Sequence, residues 1–240
     1  MALRMKVNKK QDYFGRDLEA MSFAKNYYKW IINEFKPYFG QSLAEVGAGT
    51  GNFSELLIEH IKHLVAFEPS ENMYPLLKER FSKNLRVETI NSTFSSECSN
   101  FKGYFDTIIY VNVLEHIEND EQELTYVYKT LRHAGHALIF VPALSFLYSN
   151  FDKNIGHFRR YYMKGLLEII QRIGFNIKKA KYFDLVGIIP WYIAFVLLKR
   201  PLTGRKVSLY DKLAVPLVQK FESLIIPPLG KNLLIVIQKV

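Results

Sequence analysis

The 240-residue chain carries a single cysteine, Cys98. That excludes an intramolecular disulfide framework and any cysteine-rich zinc site, and it makes a reducing compartment the default. Long apolar runs are missing as well: the longest, Leu185 to Leu198, is interrupted by Gly187 and Pro190. It falls short of the roughly 20 residues that a spanning helix needs, although such a segment can lie on a membrane. The basic stretch MALRMKVNKKQDYFGRD at the start has no apolar h-region behind it, so no secretory signal is expected. The cytoplasm is the expected location, with peripheral contact at the inner membrane face as its variant. No internal repeat and no low-complexity segment is found. Acidic residues are in short supply, 23 against 32 Lys and Arg, for a net charge of +9. The excess favours acidic partners, meaning phosphate-bearing small molecules, anionic lipid or nucleic acid; a merely solubilising surface is the bland alternative.

Aromatic residues are plentiful at 15%, and 49% of the chain is hydrophobic, a composition of one α/β domain with a sizeable core. Apolar runs at Ser42–Val46, His63–Glu68, Leu85–Ile90, Phe105–Val111 and His136–Val141 read as short buried strands. Between them, Asn52–Ile61, Ser70–Phe81 and Asp120–Leu131 carry apolar residues at helical spacing, and Leu18–Phe35 reads as an N-terminal helix. Met163–Ile173 is a further helix ending at Gly174, and Phe175–Phe183 and Asn232–Lys239 read as two more strands. The alternation predicts a parallel sheet with helices on both faces and ligands at the carboxyl ends of its strands. The organisation expected is a single domain, with an N-terminal helical cap over 1–40, a cofactor-binding core over 41–184, a helical insertion over 185–230 and a final strand over 231–240. For the insertion four readings stand: an added core layer, a dimer surface, a cap over the site, or a membrane-facing patch.

The stretch LAEVGAGTGNFSELL places Gly47, Gly49 and Gly51 between a strand and a helix. Glycines there let the backbone turn sharply and approach a ligand, and the helix start that follows offers free N–H groups and a positive dipole. Glu68 ends the next strand, where a carboxylate can accept hydrogen bonds from both ribose hydroxyls. The spacing is GxGxG, with Asn52 in the place of the sixth-position glycine of a dinucleotide site. Glu45, just before the turn, would repel a pyrophosphate and suits a cationic amino acid group.

With these motifs the sequence resembles the class I S-adenosylmethionine-dependent methyltransferases, over roughly Ser42 to Gly174. EVGAGTG is similar to that family's acidic glycine turn, FEPSENM to its second strand, and FDTIIYVNVLEHIEND to its fourth strand and following loop. LRHAGHALIFVPA resembles its fifth, departing from the usual L(K/R)PGG at His133, Ala134 and His136. The resemblance implies a Rossmann-like α/β fold with a mostly parallel seven-stranded sheet, helices on both faces and a helical insertion before the last strand. It implies S-adenosylmethionine as cofactor and S-adenosylhomocysteine as product. It further implies that Gly47, Gly49 and Gly51 wrap the methionine part, that Glu68 binds the ribose, that Pro69, Ser70 and Met73 flank the adenosine, and that Asn112 contacts the methionyl end. The adenine-capping acid found in many members is replaced by NSTFSSE, which leaves Ser92, Thr93 or Phe94 for that role.

Methyl transfer from a sulfonium chiefly requires alignment and exclusion of water. A base is needed only for a hydroxyl or protonated amine acceptor, and the candidates are His116 in LEHI and His157 in DKNIGHFRRYYMKGL. No metal is implied. The second segment resembles the GHxRRY element of a bacterial small-molecule subgroup. There Arg159 or Arg160 could hold a carboxylate or phosphate, with Tyr161 beside them, or one arginine could instead pair with an acid of the protein and lock the loop; Tyr13 could fold over the cofactor as a lid. A small-molecule acceptor, anionic or linked to a glycan or lipid, is expected. The alternatives are an RNA methyltransferase, disfavoured because NVLE stands where base-amine enzymes carry (N/D/S)PP(Y/F/W), a nucleotide-dependent oxidoreductase, and a cofactor-binding subunit without turnover. Oligomeric state is left open.

Overall fold

The structure is a computed structural model that describes residues 24–199 and 204–240. Seven strands form one sheet in the order β3-β2-β1-β4-β5-β7-β6. They are β1 (Ser42–Val46), β2 (His63–Phe67), β3 (Val87–Ile90), β4 (Phe105–Val111), β5 (Leu131–Pro142), β6 (Phe175–Phe183) and β7 (Asn232–Lys239). The first five are parallel, while β7 runs antiparallel between β5 and β6. Because successive side chains of a strand point to opposite faces, each central strand feeds two cores. Leu43, Leu64, Ile109, Leu138 and Leu234 belong to one. Their neighbours Ala44, Val65, Ile108, Ala137 and Ile235 belong to the other.

The helices that cover the sheet are α1 (Lys25–Phe35), α2 (Ser54–Leu57), α3 (Tyr74–Phe81), α4 (Phe94–Glu97), α5 (Asp120–Thr130), α6 (Asn150–Asn154) and α7 (Met163–Ile173). Two helices and two strands differ from expectation by more than one residue, β3 by starting at Val87 instead of Leu85. The segment Asn52–Ile61 keeps only four helical residues: buried Ile58 and Ile61 continue the apolar spacing, but the chain there already turns toward β2. Helix α3 starts at Tyr74 instead of Ser70, and β5 begins five residues earlier than read, at Leu131. Gly174 does adopt the left-handed conformation, φ 106°, that ends α7.

Between β6 and β7 lie α8 (Ile188–Trp191), a π-helical turn over Tyr192–Leu197, α9 (Gly204–Leu209), a second π turn over Tyr210–Ala214, and α10 (Val215–Glu222). This region is docked by carboxylates. Asp211 accepts the backbone N–H groups of Asn26 and Tyr27 at 3.0 and 2.8 Å, satisfying donors that every helix start leaves open. Glu222 accepts from the N–H of Leu185 at 2.7 Å. Asp184, fully buried, receives Tyr210 Oη at 2.6 Å and Lys231 Nζ at 2.9 Å. The inner face, through Val215 and Val218, is a layer of the core, while the outer face, with Leu213 and Leu217, is exposed. Among the described residues no helix is long and apolar enough to cross a membrane.

Candidate active site

The turn after β1 is built on left-handed backbone. Gly47, Gly49 and Gly51 have φ of 72°, 57° and 84°, where a side chain is strained. Two of the three are also required by close packing. A Cβ on Gly47 would lie 2.5 Å from Val113 Cγ2, and one on Gly51 would lie 2.7 Å from the Phe81 ring. The amide of Gly49 donates to Glu68 Oε2 at 2.7 Å, while Glu68 Oε1 accepts from the Ser70 amide at 2.9 Å and its hydroxyl at 2.5 Å. One carboxylate therefore ties the glycine turn to the loop after β2, which also carries Pro69 and Met73. Asn91 Nδ2 braces that loop from behind by donating to the Glu68 carbonyl at 3.0 Å.

Glu45 is buried, and its Oε2 has no hydrogen-bond partner. Burial pushes its carboxyl up to about 8, with the charge of Glu68 adding to the rise and Ser54 opposing it. A buried acid left one partner short, beside three left-handed glycines, fits a cationic ligand group approaching the turn. Asn112 closes the end of β4 with φ 54° and donates its N–H to the Phe140 carbonyl at 2.8 Å. After β3, Thr93 caps α4, its Oγ1 accepting from the Ser96 amide at 3.3 Å. Phe94 is 1% exposed and edge-on to Phe67 at 5.4 Å. Its ring belongs to the core beneath the loop, which leaves Ser92 and Thr93 as the polar groups of that turn. Tyr13 lies outside the described residues.

The segment after β5 departs most from the sequence reading. Arg160 is 5% exposed, and its guanidinium donates to Asp152 Oδ1 at 2.8 Å and stacks on Trp191 at 4.7 Å. Tyr161 donates to Asp120 Oδ2 at 2.9 Å, and Arg159 pairs with the same carboxylate at 2.9 Å. These three residues, expected to grip an acceptor, are engaged by acids of the protein itself: the two guanidiniums give buried Asp120 and Asp152 a counter-charge, and the Tyr161 hydroxyl gives Asp120 a hydrogen bond. The same Asp152 oxygen meets His157 Nδ1 at 3.0 Å, and His157 Nε2 faces Glu115 Oε1 at 3.6 Å. His116 packs edge-on to the His157 ring at 4.6 Å. Burial, with His157 adding, pushes His116 down to about 3, so it stays neutral and is a weak base near pH 7. Glu115 and Trp191 were missed from sequence; the only signal for Glu115 was its position between Leu114 and His116. Two surface hollows among the described residues, one lined by Tyr162, Met163 and Leu167, the other by Ser42, His63 and Asp106, contain none of these residues.

A largely parallel sheet that carries a glycine turn and an acidic end on adjacent strands is the arrangement of nucleotide-binding α/β domains. The methyltransferase domain family matches this chain over residues 21–180. The chain belongs to that family. It is similar to an uncharacterized methyltransferase from Bacillus mycoides, 25% identical over 142 residues, covering 59% of this chain and 65% of the relative. It is also similar to a probable polyketide synthase 42 from Dictyostelium discoideum, 24% identical over 143 residues, covering 49% of this chain and 5% of the synthase. The chain thus spans less than two thirds of these relatives' length. In fold it resembles the crystal structure of a SAM-dependent methyltransferase from Archaeoglobus fulgidus, with TM-score 0.65 at 19% identity over 95% of this chain and all of that one.

Proposed function

We propose that the chain methylates an oxygen or nitrogen of a small-molecule acceptor linked to a lipid or glycan, working at a membrane surface. The observation that carries this reading is the outer face of the segment between β6 and β7. Leu209, Leu213 and Leu217 follow one another at four-residue spacing and are 60%, 63% and 71% exposed, and Leu224 and Ile226 are 79% and 82% exposed. Arg205, Lys206, Lys212 and Lys220 are exposed beside them. An apolar helical stripe with basic flanks is the pattern of a helix lying in an anionic interface. The full chain is expected to cosediment with vesicles containing anionic phospholipid, less so as salt rises. Leu213→Glu with Leu217→Glu is expected to end that binding and to leave S-adenosylhomocysteine binding intact. Labelled methyl should then appear in polyprenyl-phosphate-linked sugars; label confined to RNA, or absence of vesicle binding by a chain that binds S-adenosylhomocysteine, overturns the proposal.

In this reading Gly47, Gly49 and Gly51 cradle the methionine part, Glu45 faces its amino group, Glu68 takes the ribose and Asn112 limits the methionyl end. S-adenosylmethionine supplies an activated methyl group when bound; the chain's residues hold it in line with the acceptor and keep water out. Glu45 gives a pH signature. In the free protein it is protonated below about pH 8, and a facing ammonium group favours its carboxylate, so binding expels a proton. Affinity for S-adenosylhomocysteine should therefore rise with pH up to that value, by as much as about tenfold per unit. Calorimetry at pH 7 in buffers of different ionisation enthalpy should read close to one proton released, and Glu45→Gln should abolish the release. Buffer-independent heat from the unsubstituted chain would contradict this placement of Glu45.

A further inference from the structure

The loop after β4 and the segment after β5 bring together three groups that the methyl-transfer reading does not use. A carboxylate oxygen of Glu115 and one ring nitrogen each of His116 and His157 lie within 4.8 Å of one another. We propose that Glu115, His116 and His157 bind one divalent transition-metal ion, of the zinc or cobalt type, leaving a coordination position for an oxygen of the methyl acceptor.

The spacing suits an ion. Donors about 2.1 Å from a tetrahedral metal stand roughly 3.4 Å apart, and His157 Nε2 and Glu115 Oε1 are already 3.6 Å apart. A set of two imidazoles and one carboxylate selects zinc, cobalt or a related ion over calcium or magnesium, which prefer all-oxygen shells. The orientation suits one as well. His157 turns Nδ1 to Asp152 and so presents Nε2 to the cluster, the carboxylate–histidine arrangement that fixes a metal-binding tautomer. Asp152 is itself pinned by the Ser149 amide and hydroxyl, each at 2.9 Å, and by Arg160. The two loops are clasped by the Phe158 amide donating to the Glu115 carbonyl at 2.9 Å, and Gly156, with φ 86°, makes the turn that sets His157 over His116.

Charge points the same way. The carboxylates of Asp152 and of the fully buried Glu115 both reach the cluster, beside the single guanidinium of Arg160. Burying a carboxylate is costly unless a cation faces it. A divalent ion there leaves one net positive charge, complementary to an oxyanion. The role of the ion rests on the methyl-transfer reading: an acceptor hydroxyl on the metal loses its proton to solvent near neutral pH. Its oxygen then forms the new bond to the methyl carbon as the carbon–sulfur bond breaks, with the electron pair going to sulfur.

The test uses the full chain, stripped by chelator and dialysed against Zn²⁺ or Co²⁺. Metal content is read by mass spectrometry, cobalt coordination by visible absorption, and S-adenosylhomocysteine binding by calorimetry on the same sample. The expected result is one equivalent of metal with a four-coordinate cobalt spectrum. Glu115→Gln and His157→Ala should each lower cobalt affinity at least tenfold without changing S-adenosylhomocysteine binding. His116→Ala, at a partly exposed position, serves if either variant fails to fold. No uptake by a wild-type chain that binds S-adenosylhomocysteine overturns the metal site, and so does uptake that survives all three substitutions. Metal uptake without S-adenosylhomocysteine binding would instead count against the cofactor reading and leave the site standing.

Discussion

Glu68→Ala should weaken S-adenosylhomocysteine binding by a factor of about 10² to 10⁴, read by isothermal titration. The carboxylate has two tasks. In the free chain it receives the Gly49 amide and both donors of Ser70, so it holds the glycine turn in place before the ligand arrives. Taking up the ribose then costs little reorganisation, which is what preorganisation contributes to affinity. Two hydrogen bonds to a charged acceptor are worth about 1.5–3 kcal/mol each, which gives the stated range. Glu68→Gln keeps one acceptor oxygen and should fall between. A dissociation constant within threefold of wild type for the alanine variant would remove Glu68 from the ribose position. Thermal unfolding of the same variant separates a loosened turn from a lost contact.

Asp152→Ala should be the most damaging single change to stability. It strips the counter-charge from Arg160 and one partner each from His157 and Ser149, all in the interior. Breaking a buried pair from one side costs about 3–5 kcal/mol, a fall in midpoint on the order of 10 °C for a domain of this size. Adding Arg160→Leu should recover more than half of that, because the uncompensated guanidinium goes as well. A single variant within about 1 kcal/mol of wild type would show that the network is not a stabilising unit. The pH dependence has a definite sign. Burial by itself would raise the Asp152 pKa, but the bond from His157 and the charge of Arg160 outweigh it and hold the group below its ordinary 3.8. A depressed folded-state value means the contribution is complete above that pH and is lost as the pH falls through the lower, folded value. The wild-type chain should therefore lose this part of its stability only in acid, and the Asp152→Ala chain should lack that step.

The glycine-turn half of the candidate site was legible in sequence because it is local. Gly47, Gly49, Gly51 and Glu68 sit at the ends of neighbouring strands, so pattern alone places them together. Strands β1, β4 and β7 follow their apolar runs residue for residue, since a strand buried on both faces has no other way to be written; β6, an edge strand with half-buried residues, also keeps its expected bounds. Strand β5 was read short because LRHAG carries no apolar alternation; Leu131 pairs with Phe105, and a register irregularity separates that pair from Thr107 and His136. The acceptor side was legible only as a list of residue types. Which acid takes which base depends on tertiary approach: Arg159 and Tyr161 meet Asp120 some forty positions away, and Trp191 covers Arg160 from the far side of β6. No periodicity encodes such partners. The four readings of the segment between β6 and β7 separate by face, because burial of Val215 and Val218 and exposure of Leu213 and Leu217 occur on one helical stretch.

The position of β7 bears on how the chain leaves the ribosome. Strand β6 joins the sheet only through β7, which is also the partner that covers the outer edge of β5. Until Asn232–Lys239 has been synthesised, β5 therefore presents an unpaired edge running through ALIFV, an apolar, uncharged segment of the kind that recruits other chains. Residues 175–230 must wait beside it without a sheet to join. The last strand made is thus the one that protects the nascent chain from self-association, and translation that stalls before it should yield aggregates and not a smaller folded core.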